Sequence, residues 1–320
     1  MRAIQISRHG GPEVLTPVEV EVPSPGPGEV LVRTRAIGVN FIDTYFREGV
    51  YARELPFVPG SEGVGVIEAV GEGTPDLVAG DRVAWCQVPS SYAQYVVAPA
   101  ESVVTVPEGI DDDVAASMLL QGLTAHYLIT DTHRASAGDH VLITAGAGGV
   151  GQLLIQLAVA HGFRVITTTS TEEKADLCRD LGAHHVLLYP EATPERVREL
   201  AEGGVAAVFD GVGRDTFDDS LAVLARRGTL VLFGAASGPV PPVDPQRLNA
   251  AGSVFLTRPS LAHHILTREE LEWRAGEVFE WIRNGTLTVR IGGTYSLQDA
   301  KQAHEDLENR RTTGKLLLIP

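Results

Sequence analysis

The stretch HVLITAGAGGVGQLLIQLA, His140 to Ala158, decides the fold. It opens with strand-like alternation, turns through a glycine-rich corner and continues as an amphipathic run. Gly146-Ala147-Gly148-Gly149-Val150-Gly151 fits GxGxxG, a pattern that carries weight only between a strand and a helix. That is its context here. Gly146 can make the tight turn, Gly148 lets the backbone approach a diphosphate, and Gly151 lets helix and strand pack closely. The new helix then offers the unpaired N–H groups of its first turn, around Ala147, Gly149 and Val150, and a positive dipole end to the anion. A glycine-rich turn in an unrelated α/β fold is the competing reading.

Outward from this corner, residues from about 124 alternate between strands and helices, which implies βαβ units and a parallel sheet. Strands are predicted over 140–145, 164–169, 185–188, 206–210 and 228–233. Helices are predicted over 149–161 and 172–181, the second opened by a capping box from Ser170 to Glu173, and over 268–284. Residues 1 to about 123 are dense in Val, Pro and Gly. Short alternating runs such as Val30-Leu31-Val32-Arg33-Thr34-Arg35 lie between turn clusters, so this part reads as a mostly β domain. A final apolar strand over 315–319 brings the chain back to it. At 320 residues the chain is long enough for two domains.

The formal charge of −15, with no run of Lys and Arg, repels nucleic acid and anionic lipid and favours a small-molecule partner. Cys86 and Cys178 stand far apart, without the spacing of a disulfide framework or zinc module. A reducing compartment is the simplest assumption. No apolar leader or 18-residue apolar span appears, and the protein is expected to be cytoplasmic, with no membrane partner.

NAD sites place Asp or Glu about 20 residues past the corner, on the ribose 2′-hydroxyl. This chain has Thr167-Thr168-Thr169-Ser170-Thr171 there, followed by Lys174. Hydroxyls and an ammonium suit a 2′-phosphate, so NADPH is favoured over NADH. Lys174 reads equally well as an exposed helix charge beside Glu172 and Glu173.

At this point the sequence resembles the zinc-free quinone oxidoreductases of the medium-chain dehydrogenase/reductase family. The resemblance covers essentially the whole chain. It rests on His9-Gly10-Gly11-Pro12-Glu13-Val14-Leu15, Gly38-Val39-Asn40-Phe41-Ile42-Asp43-Thr44-Tyr45, Pro59-Gly60-Ser61-Glu62-Gly63-Val64-Gly65, Ala79-Gly80-Asp81-Arg82-Val83, Gly122-Leu123-Thr124-Ala125, the corner itself and Asp210-Gly211-Val212-Gly213. It implies an α/β architecture: a GroES-like β-rich catalytic domain, 1–123 completed by 264–320, and an inserted doubly wound parallel-sheet Rossmann domain, 124–263, with the active site in the cleft. Lys174, Tyr189 and Arg310 are then expected around the 2′-phosphate of NADPH, joining Ser170 of the hydroxyl run. Asn40, Tyr45, Tyr51 and Thr124 are expected along the nicotinamide and substrate, and Phe233, Gly234 and Ser237 near the cofactor. A homodimer is also implied, formed along 252–257 as an edge strand.

Zinc-dependent relatives carry G-H-E-x-x-G, whereas this chain has Gly60-Ser61-Glu62-Gly63-Val64-Gly65 and no cysteine before Cys86. No metal site is expected, including at the histidine pairs 184–185 and 263–264. Without a Lewis acid the plausible task is hydride delivery from NADPH to an acceptor that is already electrophilic, and a quinone meets that need. Tyr45 and Tyr51 can orient the quinone oxygen or donate to it, and Asn40 can hydrogen-bond cofactor or substrate. Against these stand bland roles: Tyr45 as a packed aromatic, Asn40 as a turn cap, Asp43 and Glu62 as structural carboxylates. The rival reaction is reduction of an enone or 2-alkenal on the same fold. The rival class is a non-catalytic NADPH-binding structural or RNA-binding protein.

Overall fold

The computed structural model describes residues 1–74, 76–309 and 311–320. It divides into two compact units, one of residues 1–121, 265–284 and 288–320, the other of 122–264 and 285–287. The first stretch of chain forms β1 (Arg2–Gln5), β2 (Thr16–Glu19), β3 (Glu29–Val39), α1 (Phe41–Glu48), β4 (Glu62–Val70), β5 (Arg82–Cys86), β6 (Tyr95–Pro99), β7 (Val103–Thr105) and α2 (Asp112–Asp131). The middle stretch forms β8 (His140–Ile143), α3 (Gly149–Ala160), β9 (Arg164–Thr169), α4 (Glu172–Asp180), β10 (His185–Leu188), α5 (Pro194–Leu200), β11 (Val205–Asp210), α6 (Phe217–Ala222), β12 (Leu224–Leu232), α7 (Gln246–Ala250) and β13 (Phe255–Thr257). The chain closes with α8 (Arg268–Arg283), β14 (Ile291–Ser296), α9 (Ala300–Glu308) and β15 (Lys315–Ile319).

In the first unit the main sheet runs β14-β15-β3-β4-β5-β7, with β6 also on β3. Its pairs are antiparallel except β14 with β15, which run parallel. Much of β3, β4, β5 and β15 is buried on both faces, with Val30, Val32, Val83, Trp85, Val96 and Val103 in one apolar cluster and Ile37, Val39, Leu316 and Leu318 in another. Return of the last strand is explicit, with Leu316 opposite Val39 and Leu318 opposite Ile37.

The second unit is a six-stranded sheet, β10-β9-β8-β11-β12-β13, parallel throughout. The order grows from β8 to β9 and β10 on one side, then resumes at β11 on the other. The strand order therefore reverses between β8 and β11, the place where open α/β sheets bind ligands. The expected strands at 164–169 and 185–188 form with those bounds. The one expected over 140–145 stops at Ile143, because Ala145 turns to a left-handed φ of 52° to enter the corner. At the other edge, β13 occupies only 255–257 of the expected 252–257, because Gly252 and Ser253 take positive φ and turn the chain.

Candidate active site

The corner after β8 has no room for a side chain at positions 146 and 151. A Cβ on Gly146 would sit 2.0 Å from Thr167 Oγ1, and one on Gly151 would sit 2.5 Å from the Ala145 carbonyl oxygen. Gly146 N–H donates to the Thr168 carbonyl (2.9 Å) and Gly148 N–H to that of Ala145 (2.8 Å). By contrast, the N–H groups of Ala147, Gly149, Val150 and Gly151 donate to no backbone carbonyl among the described residues. Such a helix start, with donors unspent and no side chain above them, fits a dinucleotide diphosphate.

At the neighbouring strand end the structure corrects two expectations. The N-cap of α4 is Thr171, whose Oγ1 accepts from Lys174 N–H (3.4 Å), so the capping box does not start at Ser170. β9 runs through residue 169, which takes Thr167 and Thr168 into the sheet. Thr167 Oγ1 donates to the Ile143 carbonyl (2.7 Å), and Thr168 Oγ1 accepts from Ala145 N–H (3.3 Å). Both are buried and tie β9 to β8 and its corner instead of facing a phosphate. Ser170 lies exposed just beyond, and Lys174 stands in the first turn of α4. The last pair of β9 and β10 is Thr169 with Leu188, so Ser170 and Tyr189 leave the sheet side by side. Arg310 lies outside the described residues.

Asp210 ends β11 beside β8 and is fully buried. Its carboxylate accepts from Thr144 Oγ1 (3.2 Å), Val212 N–H (2.9 Å), Gly213 N–H (3.1 Å), Thr216 Oγ1 (2.8 Å) and Ser220 Oγ (2.8 Å). This fixes the loop that faces 233–237. Phe233 and Gly234 N–H both donate to the Asp210 carbonyl, and a Cβ on Gly234 would meet Gly211 O at 2.3 Å. Ser237 Oγ donates to the Val212 carbonyl (2.9 Å) and accepts from Asp215 N–H (3.0 Å), so its hydroxyl braces these two loops together. Thr124 is half-buried on α2.

In the first unit α1 is inside out. Its buried residues are Asp43, Thr44 and Arg47, while Phe41 and Tyr45 lie on the opposite, more accessible side. The aromatic rings meet edge to face: Phe41 with Tyr45 at 5.6 Å, Tyr45 with Tyr51 at 5.5 Å, and Phe46 with Tyr51 at 5.6 Å. Phe41 and Tyr51 remain 37% and 39% exposed, which makes this an aromatic wall open to a ligand.

The buried polar face is fully paired. Arg47 spends all five N–H donors: on the Gly10 carbonyl, Glu48, both oxygens of Glu308 (2.6 and 3.1 Å) and His304 Nδ1 (2.9 Å). A guanidinium can only donate, so His304 Nδ1 accepts and the ring proton sits on Nε2. That proton goes to Tyr92 Oη (3.0 Å), and the Tyr92 hydroxyl donates to Asp43 Oδ2 (3.0 Å). Asp43 Oδ2 also accepts the Asn40 N–H (2.9 Å) at the start of α1. Burial and the Arg47 charge hold His304 down to about 3, keeping the ring neutral. Burial pushes the Asp43 carboxyl up to about 6, against the lowering pull of its two donors and Lys315. Asp43 is structural as expected, though its partners are a backbone N–H and a tyrosine.

Asn40 is only 2% exposed. Its Nδ2 donates to Glu62 Oε2 (2.8 Å) and the Gly38 carbonyl (3.4 Å), and its Oδ1 accepts from Lys315 Nζ (2.6 Å). Lys315 Nζ reaches Glu62 Oε2 as well (2.5 Å), and Glu62 Oε1 takes the Leu120 N–H (2.7 Å). Both amide donors are thus turned inward, and a single Oδ1 lone pair is left for anything else. At the start of α1 it is the Asp43 carboxylate that takes the Asn40 N–H, while the Asn40 side chain bonds Glu62, Gly38 and Lys315 and none of the helix N–H groups.

Sequence reading missed Asp210, Lys315, Tyr92 and His304. Lys315 had a signal, a charge at the head of an otherwise apolar strand in a chain with three lysines. Asp210 had one too, an acid followed by Gly-Val-Gly and two hydroxyl residues. His304 and Tyr92 had none, since 212 residues separate the partners.

Comparison with known proteins fits this geometry. Residues 26–108 match the alcohol dehydrogenase GroES-like domain and residues 149–281 the zinc-binding dehydrogenase family. The chain is 44% identical to a quinone oxidoreductase of Pseudomonas aeruginosa, over 100% of this chain and 99% of that one. It is 41% identical to a 2-haloacrylate reductase of Burkholderia, over 99% and 98%. A mycobacterial protein solved in complex with NADPH superposes with a TM-score of 0.97 at 57% identity, with all of both chains covered.

Proposed function

Since the chain belongs to the quinone oxidoreductases of the medium-chain dehydrogenase/reductase family, we propose that it reduces quinones with NADPH and needs no zinc to do so. It is an NADPH-dependent oxidoreductase. The observation that carries the quinone reading is the inverted helix α1, whose accessible face is a set of aromatic rings suited to a flat acceptor.

NADPH, when bound, supplies the hydride. In this reading the free N–H groups of Ala147, Gly149, Val150 and Gly151 bind the diphosphate at a site where a Cβ at 146 or 151 would clash. Ser170, Lys174 and Tyr189, with Arg310, hold the 2′-phosphate; the hydroxyls of Ser170 and Tyr189 donate to it and the ammonium neutralises it. Asp210 locks the loops carrying Phe233, Gly234 and Ser237, so that stretch supports the cofactor by shape. Thr124 lies near the nicotinamide. Tyr45 and Tyr51 hold the acceptor ring and donate hydrogen bonds to its oxygen as charge develops there. The acceptor gains a hydride and then one proton from water to become the hydroquinone, which asks little acid strength of the protein. Asn40 acts as a positioning residue, fixed by Lys315 and Glu62 at the start of α1.

Zinc independence rests on the donor set. Ser61 stands where zinc-dependent relatives place histidine, and its Oγ is buried without a hydrogen-bond partner among the described residues. The Cys86 thiol is buried, and burial with the Glu62 charge pushes its pKa up, away from the thiolate a metal needs. Glu62 is already committed to Lys315. These groups do not fit a zinc ion.

Residues 1–123 and 264–320 form the catalytic domain and 124–263 the cofactor domain. A homodimer through the edge strand β13, where Phe255 is 40% exposed, and a cytoplasmic location complete the reading. No described helix is long and apolar enough to cross a membrane.

The test is oxidation of NADPH and NADH with 1,4-benzoquinone and with a 2-alkenal. Fast quinone turnover with NADPH is expected. Faster alkenal turnover would promote the second reading, an activated-alkene reductase, which the 2-haloacrylate reductase relative favours.

A further inference from the structure

Beyond the aromatic wall stands Arg53. Its guanidinium lies over the ring of Phe46 (4.9 Å) and near that of Phe57 (5.5 Å). Phe46 is the ring that meets Tyr51, and Tyr51 meets Tyr45. The side chain is half-buried, with two aromatic rings within about 6 Å of its guanidinium carbon. Those contacts leave its N–H edge unused. Among the described residues Arg53 makes no hydrogen bond and no ion pair, not even with Glu54 beside it or with Glu48, which is taken by Arg47.

The contrast with Arg47 is instructive. Six residues away on the same segment, Arg47 spends every donor on protein groups and is buried, whereas Arg53 rests against two rings with no protein acceptor on its N–H groups among the described residues. A guanidinium held against two rings has less rotamer freedom left to give up on binding than a fully exposed arginine. Its planar fork matches the two oxygens of a carboxylate or two of the three of a sulfonate. In a chain of net charge −15, an unspent cation at the rim of an aromatic wall is also the feature that would let an anion approach there.

We propose that Arg53 is a specificity residue and that the acceptor site is built for an electrophile carrying a carboxylate or another oxyanion substituent, the electrophilic ring or double bond resting on Tyr45 and Tyr51 and the oxyanion on Arg53. This rests on the placement of Tyr45 and Tyr51 at the acceptor, as proposed above. It applies equally to an anionic quinone and to an enoate, because both join a flat electrophile to a charged group.

The experiment compares 1,4-naphthoquinone with its 2-sulfonate, and 2-chloroacrylate with 2-chloroacrylamide, in the wild type, Arg53→Gln and Arg53→Lys. Within each pair the ratio of kcat/KM, charged over neutral, is the readout, so differences in intrinsic reactivity cancel between variants. Arg53→Gln should lower that ratio about tenfold, mainly through KM, the size expected of one lost charge-assisted interaction. Arg53→Lys should recover part of it, since charge returns without the fork. A ratio unchanged within about twofold in Arg53→Gln overturns the assignment. If neither quinone is reduced, the quinone reading fails alone and the acrylate pair still decides Arg53. If no pair turns over, quenching of protein fluorescence by the charged and neutral compounds in the presence of NADPH gives the same ratio from binding.

Discussion

The glycine corner and α1 both carry residues of the proposed site, yet they are built on opposite principles. The corner obeys every local rule: glycines where a Cβ would clash, donors left unspent at a helix start, a strand before and an apolar helix after. Helix α1 breaks the first rule of amphipathic helices by burying Asp43 and Arg47 while leaving Phe41 and Tyr45 accessible. A corner of this kind announces its ligand through the backbone. An inverted helix announces it through a debt, because charges taken from water must be paired elsewhere in the unit, and rings left in water gain only when something flat covers them.

The largest way to break the contrast is to remove the pairing. Arg47→Met leaves Glu308 and the His304 Nδ1 without their donor and should destabilise the protein by about 3 to 5 kcal/mol, the usual size for a buried charge network cut on one side. Urea unfolding checks it, and a loss below about 1 kcal/mol would mean that the inversion is cheap.

The next effect is a pH dependence. Asp43 ordinarily titrates at 3.8 and in the fold at about 6, so between these values the native state keeps a proton that the unfolded chain releases. Stability therefore falls as pH rises through that window, by about 3 kcal/mol from this group. His304 works the other way: its pKa is lowered from 6.5 to about 3, so acidification through that range favours the unfolded chain, which takes the proton first. The two oppose each other in the wild type. Asp43→Asn removes one of them and should lose stability more steeply than the wild type between pH 6 and 4; parallel curves would refute the assignment.

For the corner, Gly151→Ala puts a Cβ against backbone oxygens that cannot give way and should weaken NADPH binding about a hundredfold by nicotinamide fluorescence titration. Retained affinity would show that the corner tolerates what α1 does not. Smaller again, Lys174→Ala should raise KM for NADPH about tenfold and leave that for NADH within a factor of about two. Least of all, Tyr45→Phe should cost under about threefold in kcat/KM with a quinone, the value of one partly exposed hydrogen bond, and more with a 2-alkenal, whose carbanion needs a proton.

Legibility in the sequence follows the same division. The parallel sheet, its corner and the return of the last strand could all be read, because periodicity and glycine spacing are local signals. Thr167 and Thr168 misled, since a threonine near a strand end looks the same whether it faces a phosphate or braces the next strand, and only the register with β8 decides. The roles of Asn40 and Asp43 were legible only as alternatives. Their partners in the fold are Lys315, Tyr92 and His304, which lie 49 to 275 residues away along the chain and meet the start of α1 and one another through tertiary structure.

The pairing of β15 with β3 has a consequence for biosynthesis. Glu62 is made 253 residues before the lysine that neutralises it, and β3, though it can pair early with β4 and β6, meets β15 only after residues 315–319 have been made. The parallel-sheet unit, complete once residue 287 is made, can fold during translation, while the first unit must wait with an uncompensated carboxylate and an open strand edge. A nascent chain stalled before Lys315 should be a chaperone client in its first hundred residues, even with its nucleotide-binding half already formed.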